Sequence, residues 1–152
     1  MKFIETDLET VLSHFDNLSA DTKPKWGTMS AQQMVEHLTH TLEIAMGMHQ
    51  YTPLIKAEDY DKMRAFINSD KPLPRNFKVE FASENPPLIH EEIELAIDTY
   101  CDAWLEFETL FAENPTLETM HPNFGMLNYE LWNTLHSKHL THHFTQFGLI
   151  AE

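Results

Sequence analysis

The segment KHLTHHFTQ, residues 138–146, places three histidines within five positions, namely His139, His142 and His143. A neutral imidazole is a common metal ligand, and near pH 7 it also carries protons. On a helix, His139 and His143 would lie about 6 Å apart along the axis and on the same face. That spacing lets two imidazoles converge on one metal ion. The pair alone makes an incomplete site, so a third ligand is expected elsewhere in the chain.

The predicted last helix, YELWNTLHSKHLTHHFTQFG, determines which way these rings point. A wheel at about 100° per residue gives an inward stripe, with His142 at its edge. That stripe contains Trp132, His136, His139, His143 and Gln146. The wheel predicts that Glu130, Asn133, Ser137 and Lys138 lie outside. Several neutral imidazoles packed together leave donors and acceptors short of partners, and a shared metal ion would remove that shortage.

The third ligand is sought among the histidines outside this helix: His14, His37, His40, His49, His90 and His121. His37 borders the apolar face of the predicted second helix, whereas His40 turns about 60° further from that face. By elimination His37 is the best third ligand. A hydrogen-bonded core role for each histidine stays open. The candidates for supporting the ligands are Gln146, His142 and His136, and His136 could equally be a further ligand or a core residue. Glu36 and Glu43 are candidates for a base or for supporting a ligand.

Helical patterns dominate the rest of the chain, and together they predict an all-α four-helix bundle. Thr6 and Glu9 form a predicted capping box for the first helix, as Ser30 and Gln33 do for the second. A shorter helix is expected in AEDYDKMRAFIN, and a long one in IHEEIELAIDTYCDAWLEFETLFAE with Ile89 facing inward. Asn128 and Gly148 are expected to cap the last helix. The segment FKVEFAS is an alternative short strand.

Composition limits the possible partners. The 152 residues fit a single domain covering 1–152, and the formal net charge of −14 disfavours nucleic acid and anionic membranes as partners. The single cysteine cannot form an internal disulfide. The start MKFIETDLETV does not resemble a secretory signal, and no apolar run approaches the ~18 residues of a membrane span. A cytoplasmic protein is predicted.

Three segments of the chain resemble the DinB/YfiT-like superfamily, and most closely a branch of it described as a domain of unknown function. They are WGTMSAQQMVEHLTHTLEI, HPNFGMLNYELWNTLHSKHL and HLTHHFTQFG. The resemblance implies a four-helix bundle, often a homodimer, that binds a divalent metal through three histidines. Those ligands fall on His37, His139 and His143. Many relatives have Arg and Gly where this chain has Phe144 and Thr145, so the role of that arginine does not transfer.

Three imidazoles with an open coordination position are typical of catalytic rather than structural metal sites. Zinc or nickel is the expected divalent transition metal; such an ion can lower the pKa of a bound water toward about 7. Some relatives instead use a low-molecular-weight thiol as cofactor. The predicted function is a metal-dependent enzyme, a hydrolase or a thiol-dependent transferase, with a small-molecule substrate. Two alternatives stay open: a non-enzymatic helical bundle that binds a small apolar ligand or partner, and a bundle with a purely structural metal.

Overall fold

The computed structural model describes residues 2–75 and 85–152 of a chain that is mainly α-helical, as predicted. The helices are α1 (Leu8–Phe15), α2 (Ala31–Ala45), α3 (Tyr60–Ile67), α4 (Ile93–Glu113) and α5 (Tyr129–Gln146), with a 3-10 turn at Ala57–Asp59. An antiparallel hairpin of β1 (Thr119–His121) and β2 (Gly125–Leu127) precedes α5. The alternative strand FKVEFAS lies outside the described residues. None of the described helices has the length and apolar character needed to cross a membrane.

The caps of α2 and α5 are those predicted from sequence. The Ser30 hydroxyl accepts from the Gln33 backbone N–H at 3.1 Å, and the Gln33 side chain accepts from the Ser30 N–H at 2.8 Å. The Asn128 side chain accepts from the Leu131 N–H at 3.0 Å. Beyond α5, Gly148 has φ +71°, a left-handed conformation that favours glycine at a helix end. The Ser30 and Asn128 caps satisfy N–H groups that a helix start leaves without partners. They determine where α2 and α5 begin, and so which face of each helix carries its histidines.

Packing between helices places α2 beside α5. In the described residues α2 packs on α4 and also contacts α5, α1 packs on α4, and α3 packs on α5. The Trp132 indole N–H donates to the Thr119 hydroxyl at 2.7 Å, and that hydroxyl donates to the Ala45 carbonyl at 2.7 Å. This bridge joins α5, the hairpin and the end of α2. The largest fully buried side chains include Trp132, Tyr100, Phe107, Lys138, Phe144 and Met34.

The start of α1 differs from the prediction. The cap is Asp7, whose carboxylate accepts from the Thr10 backbone N–H at 2.9 Å. A negative charge at this position also interacts favourably with the positive end of the helix dipole. The Thr6 hydroxyl instead donates to the Asn133 side chain on α5 at 2.8 Å. The predicted Thr6–Glu9 capping box is therefore wrong, because a tertiary contact uses the Thr6 hydroxyl.

The long helix α4 begins at Ile93 rather than at Ile89, and Ile89 is 75% exposed instead of inward. The Glu36 carboxylate on α2 accepts from the backbone N–H groups of Ile89 and His90, each at 2.9 Å. These bonds hold the segment against α2. The apolar periodicity of the sequence does not show that these two N–H groups bond to a side chain on another helix.

Lys138 was predicted to lie outside α5 but is only 1% exposed. Its ammonium group donates to the Ser69 carbonyl at 2.8 Å and to the Lys71 carbonyl. It also lies 4.3 Å from the Phe3 ring centroid and 5.1 Å from that of Phe66. The N-terminal segment and the loop after α3 thus cover a face of α5 that the helical wheel predicted to be exposed to solvent.

Candidate metal centre

Three histidine rings from α2 and α5, those of His37, His139 and His143, converge at one point and are called the triad below. The Nε2 atom of His139 lies 3.0 Å from Nε2 of His37 and 3.0 Å from Nε2 of His143. One ligand atom from each ring lies within 4.8 Å of the other two. His143 is buried, and His37 and His139 are of intermediate exposure. The structure therefore brings together the three residues predicted as ligands, and metal binding itself stays a prediction.

Gln146 fixes the tautomer of His143. The Gln146 Nε2 group donates to the Trp26 carbonyl at 3.0 Å, which leaves Oε1 as the acceptor facing the histidine. Nδ1 of His143 lies 2.8 Å from that oxygen, so the ring proton sits on Nδ1. A neutral imidazole carries one such proton, so Nε2 of His143 presents its lone pair to the other two rings. Gln146 was predicted to support a ligand, and its contact is of that kind.

His139 cannot satisfy both of its close neighbours by ordinary hydrogen bonding. The lone pair of His143 Nε2 already faces His139 Nε2. If His139 Nε2 carries a proton, that proton can form one good hydrogen bond across the two 3.0 Å contacts, but not two. If His139 Nε2 carries no proton, two lone pairs face each other at the contact with His143. Two nitrogens bound about 2.1 Å from one tetrahedral ion lie roughly 3.4 Å apart. The observed spacing is close to that value. The donor set therefore fits a divalent transition-metal ion.

The three rings are neutral at pH 7. Burial lowers the pKa of His37 to about 4, with smaller contributions from His40 and His142. Burial, followed by the neighbouring histidines, holds the pKa values of His139 and His143 well below the ordinary value. Only the neutral form offers a lone pair to a metal. The site is therefore in its ligand form across the physiological range.

His142 lies at the edge of the cluster, as the wheel predicted. Its ring centroid is 4.9 Å from that of His143 and 5.8 Å from that of Trp26. The ring also lines a cavity of about 290 Å³, whose wall includes Trp26, Leu73 and Arg75. His142 thus connects the triad to a space that can hold a small molecule. The loop residues of this wall carry no periodic pattern, so the sequence did not indicate them.

His136 packs among aromatic rings, one turn before His139 on α5. Its ring stacks on Trp132 with centroids 5.5 Å apart, and it meets the edges of Phe107 and Trp104 at 5.0 and 6.0 Å. Among the described residues its Nε2 atom has no hydrogen-bond partner. His136 is therefore a residue of the aromatic core, which is one of the roles that the sequence left open for it.

The two acidic residues predicted as candidate bases face elsewhere. Glu36 is turned toward Ile89 and His90. Glu43 contacts His49 and His40, its nearest carboxylate oxygen lying 3.0 Å from His49 Nε2 and 3.6 Å from His40 Nδ1. Neither carboxylate belongs to the triad. The His40–Glu43 spacing was visible in the sequence, but His49 lies beyond the end of α2, where a helical wheel does not apply.

We expect Gln146→Leu to weaken zinc binding by roughly tenfold to a hundredfold, because partners that orient a ligand imidazole have effects of that size. The substitution removes the acceptor that holds the Nδ1 proton of His143. Isothermal titration calorimetry with zinc measures the change. Gln146→Glu, which keeps an oxygen acceptor, is the matched control and should bind more tightly than the leucine variant. Equal affinities for all three proteins would refute this role for Gln146.

The buried His136 predicts a loss of stability in mild acid. Burial lowers its pKa to about 3, and His121 contributes to the same shift. In the unfolded chain the His136 imidazole takes up a proton near pH 6.5, whereas in the folded chain it stays neutral down to about pH 3. The free energy of unfolding therefore falls as the pH drops from 6.5 toward 3. At pH 5 this costs about 2 kcal/mol. In urea titrations of metal-free protein, His136→Phe should lose less stability between pH 7 and 5 than wild type does. An unchanged acid slope would contradict the prediction.

Comparison of the chain with protein-family models, with curated proteins and with solved structures found no match.

The ligand types of the site limit which metal ions it can bind. Neutral imidazoles suit zinc, nickel, copper and iron.

Proposed function

We propose that the protein is a divalent-metal-dependent enzyme of the DinB/YfiT-like type, with His37, His139 and His143 as metal ligands. The observation that carries the proposal is the position of His139 Nε2, 3.0 Å from the Nε2 atoms of both other histidines. Hydrogen bonds cannot fully satisfy that arrangement, whereas one metal ion can. Zinc or nickel is the ion we expect.

The fold that we propose is the four-helix bundle of that superfamily, formed by α1, α2, α4 and α5. The packing of α2 on α4 and α5, and of α1 on α4, supports it. The short α3 and the hairpin would then be additions that close the bundle beside α5. A homodimer is part of the same proposal and is tested by light scattering of the purified chain.

The proposed reaction is hydrolysis or thiol-dependent group transfer on a small molecule. An ion held by the three histidines would supply Lewis acidity, which could serve either a water or a low-molecular-weight thiol. The chain itself orients His143 through Gln146 and offers the cavity beside His142 as the substrate space. Burial lowers the pKa of His142, so the ring that lines this cavity is neutral at pH 7.

A second candidate function is the binding of a small apolar ligand without catalysis. The cavity wall favours it, because Trp26, Pro72, Leu73 and Pro74 give that space an apolar side. Under this alternative, ligand affinity would not depend on the metal. Binding of a fluorescent apolar probe to wild type and to His143→Ala, with and without zinc, separates the two candidates.

Activity assays with matched variants test the enzyme proposal. Untagged protein loaded with zinc or nickel is assayed on p-nitrophenyl esters and phosphates, and on an electrophile in the presence of a small thiol. The proposal expects turnover in one of the two classes, its loss in His143→Ala, and its retention in His14→Ala. Rates that are the same in wild type, His143→Ala and metal-free protein would overturn it.

A further inference from the structure

A second group of side chains that could hold a metal ion lies near the C-terminal end of α2. His40 and Glu43 project from the last two turns of the helix, and His49 follows in the segment after it. One ligand atom from each lies within 4.8 Å of the other two. The rings of His40 and His49 have centroids 4.3 Å apart. These three residues, which we name the second cluster, share no member with the triad.

We propose that the second cluster is a distinct binding site for a divalent transition-metal ion such as zinc. A carboxylate with two imidazoles is a donor set that zinc accepts in catalytic sites. The Glu43 oxygen lies 3.0 Å from His49 Nε2 and 3.6 Å from His40 Nδ1. These distances lie on either side of the roughly 3.4 Å that separates two ligands of one tetrahedral ion.

Tyr51 gives His40 the orientation that a ligand needs. The Tyr51 hydroxyl lies 2.7 Å from His40 Nε2. With the ring proton on Nε2 and donated to that hydroxyl, Nδ1 presents its lone pair toward Glu43 and His49. Metal-bound histidines commonly donate their other ring N–H in this way. The 3.6 Å from Nδ1 to Glu43 is too long for a hydrogen bond, so that contact alone does not explain the ring's position.

Exposure and charge also favour a cation at the second cluster. The side chains of His40 and Glu43 are each 31% exposed and that of His49 is 36% exposed, so solvent can supply a fourth ligand. The formal net charge of −14 attracts cations to the whole surface. Because the ligands span the end of α2 and the segment after it, a bound ion would fix that segment to the helix.

Zinc titration by calorimetry tests the second cluster without the triad. The protein carries His139→Ala and His143→Ala, has no histidine tag, and is checked for folding by circular dichroism. We expect one equivalent of zinc to bind, and this binding to be lost when His49→Ala is added. The matched control is His14→Ala in the same background, which should keep it. Glu43→Gln should weaken it, because the negative charge is removed.

Failure of this inference is distinguishable from failure of the triad. A folded double variant that binds no zinc, or binds it equally with and without His49→Ala, overturns the second cluster and leaves the triad untouched. If the double variant does not fold, wild type and His49→Ala are compared at saturating zinc. The inference then expects the bound zinc to fall by one equivalent, and an equal number of equivalents in the two proteins overturns it.

Discussion

Zinc at about 1,000 times its dissociation constant is expected to raise the free energy of unfolding by about 4 kcal/mol when the triad is intact. His37 and His139 are 102 positions apart in sequence, and only the folded chain brings their Nε2 atoms to 3.0 Å. An ion that binds the folded state and not the unfolded state stabilises the fold by mass action. For a chain of this size the corresponding rise in melting temperature is about 10 °C.

The matched comparison for this prediction is His139→Ala. Both proteins carry His49→Ala, so that the second cluster contributes nothing to the difference. Urea denaturation with and without zinc gives the free energy of unfolding for each protein. We expect His139→Ala to gain little, since two imidazoles remain where three are needed. An equal gain in both proteins would show that zinc stabilises the chain from some other place.

Glu36→Leu is expected to destabilise the metal-free protein by about 3 kcal/mol, because hydrogen bonds to charged groups contribute about 1.5–3 kcal/mol and are not additive. Glu36 is only 7% exposed. One carboxylate oxygen accepts from the Ile89 N–H, and the other from the His90 N–H, the His90 ring and the Gln32 side chain. Burial raises the pKa of Glu36, but the bonds from Ile89 and His90 outweigh it and hold that pKa below the ordinary value. Leucine would leave these donors partly buried without an acceptor.

Glu36→Gln is the matched control for this substitution. It keeps the size of the side chain and one acceptor oxygen, so its cost should be smaller than that of leucine. Urea denaturation at pH 7 measures both variants. Because Glu36 is turned away from the triad, the folded leucine variant should still bind zinc at His37. A leucine variant as stable as wild type would refute the bracing role of this carboxylate.

The sequence predicted the triad well because its geometry is mostly local. The four-residue spacing of His139 and His143 on one helix fixes their relation without any tertiary information. His37 then followed from the face of α2, whose start Ser30 caps as expected. Gln146 was found on the same stripe as the ligands, one turn beyond His143.

Two of the wrong predictions, those for Lys138 and Thr6, share a cause: each residue is placed by contacts between segments far apart in sequence. Lys138 is buried because the N-terminal segment and the loop after α3 cover α5 from outside. Thr6 does not cap α1, because its hydroxyl donates to the side chain of Asn133 instead. The sequence did not predict the hairpin, because strands of three residues are too short to show an alternating pattern. Its second strand begins at Gly125, which has a left-handed φ angle. The Tyr60 ring packs so closely on Gly125 that a Cβ there would overlap it.

The most direct test of the triad is the metal content of untagged protein, measured by plasma mass spectrometry beside the His139→Ala variant. We predict that wild type, after incubation with zinc or nickel and removal of free metal, retains about one equivalent more than the variant, with both proteins folded by circular dichroism. Equal metal content in the two proteins, or a wild type that stays metal-free after that incubation, would contradict the assignment of His37, His139 and His143 as a metal site.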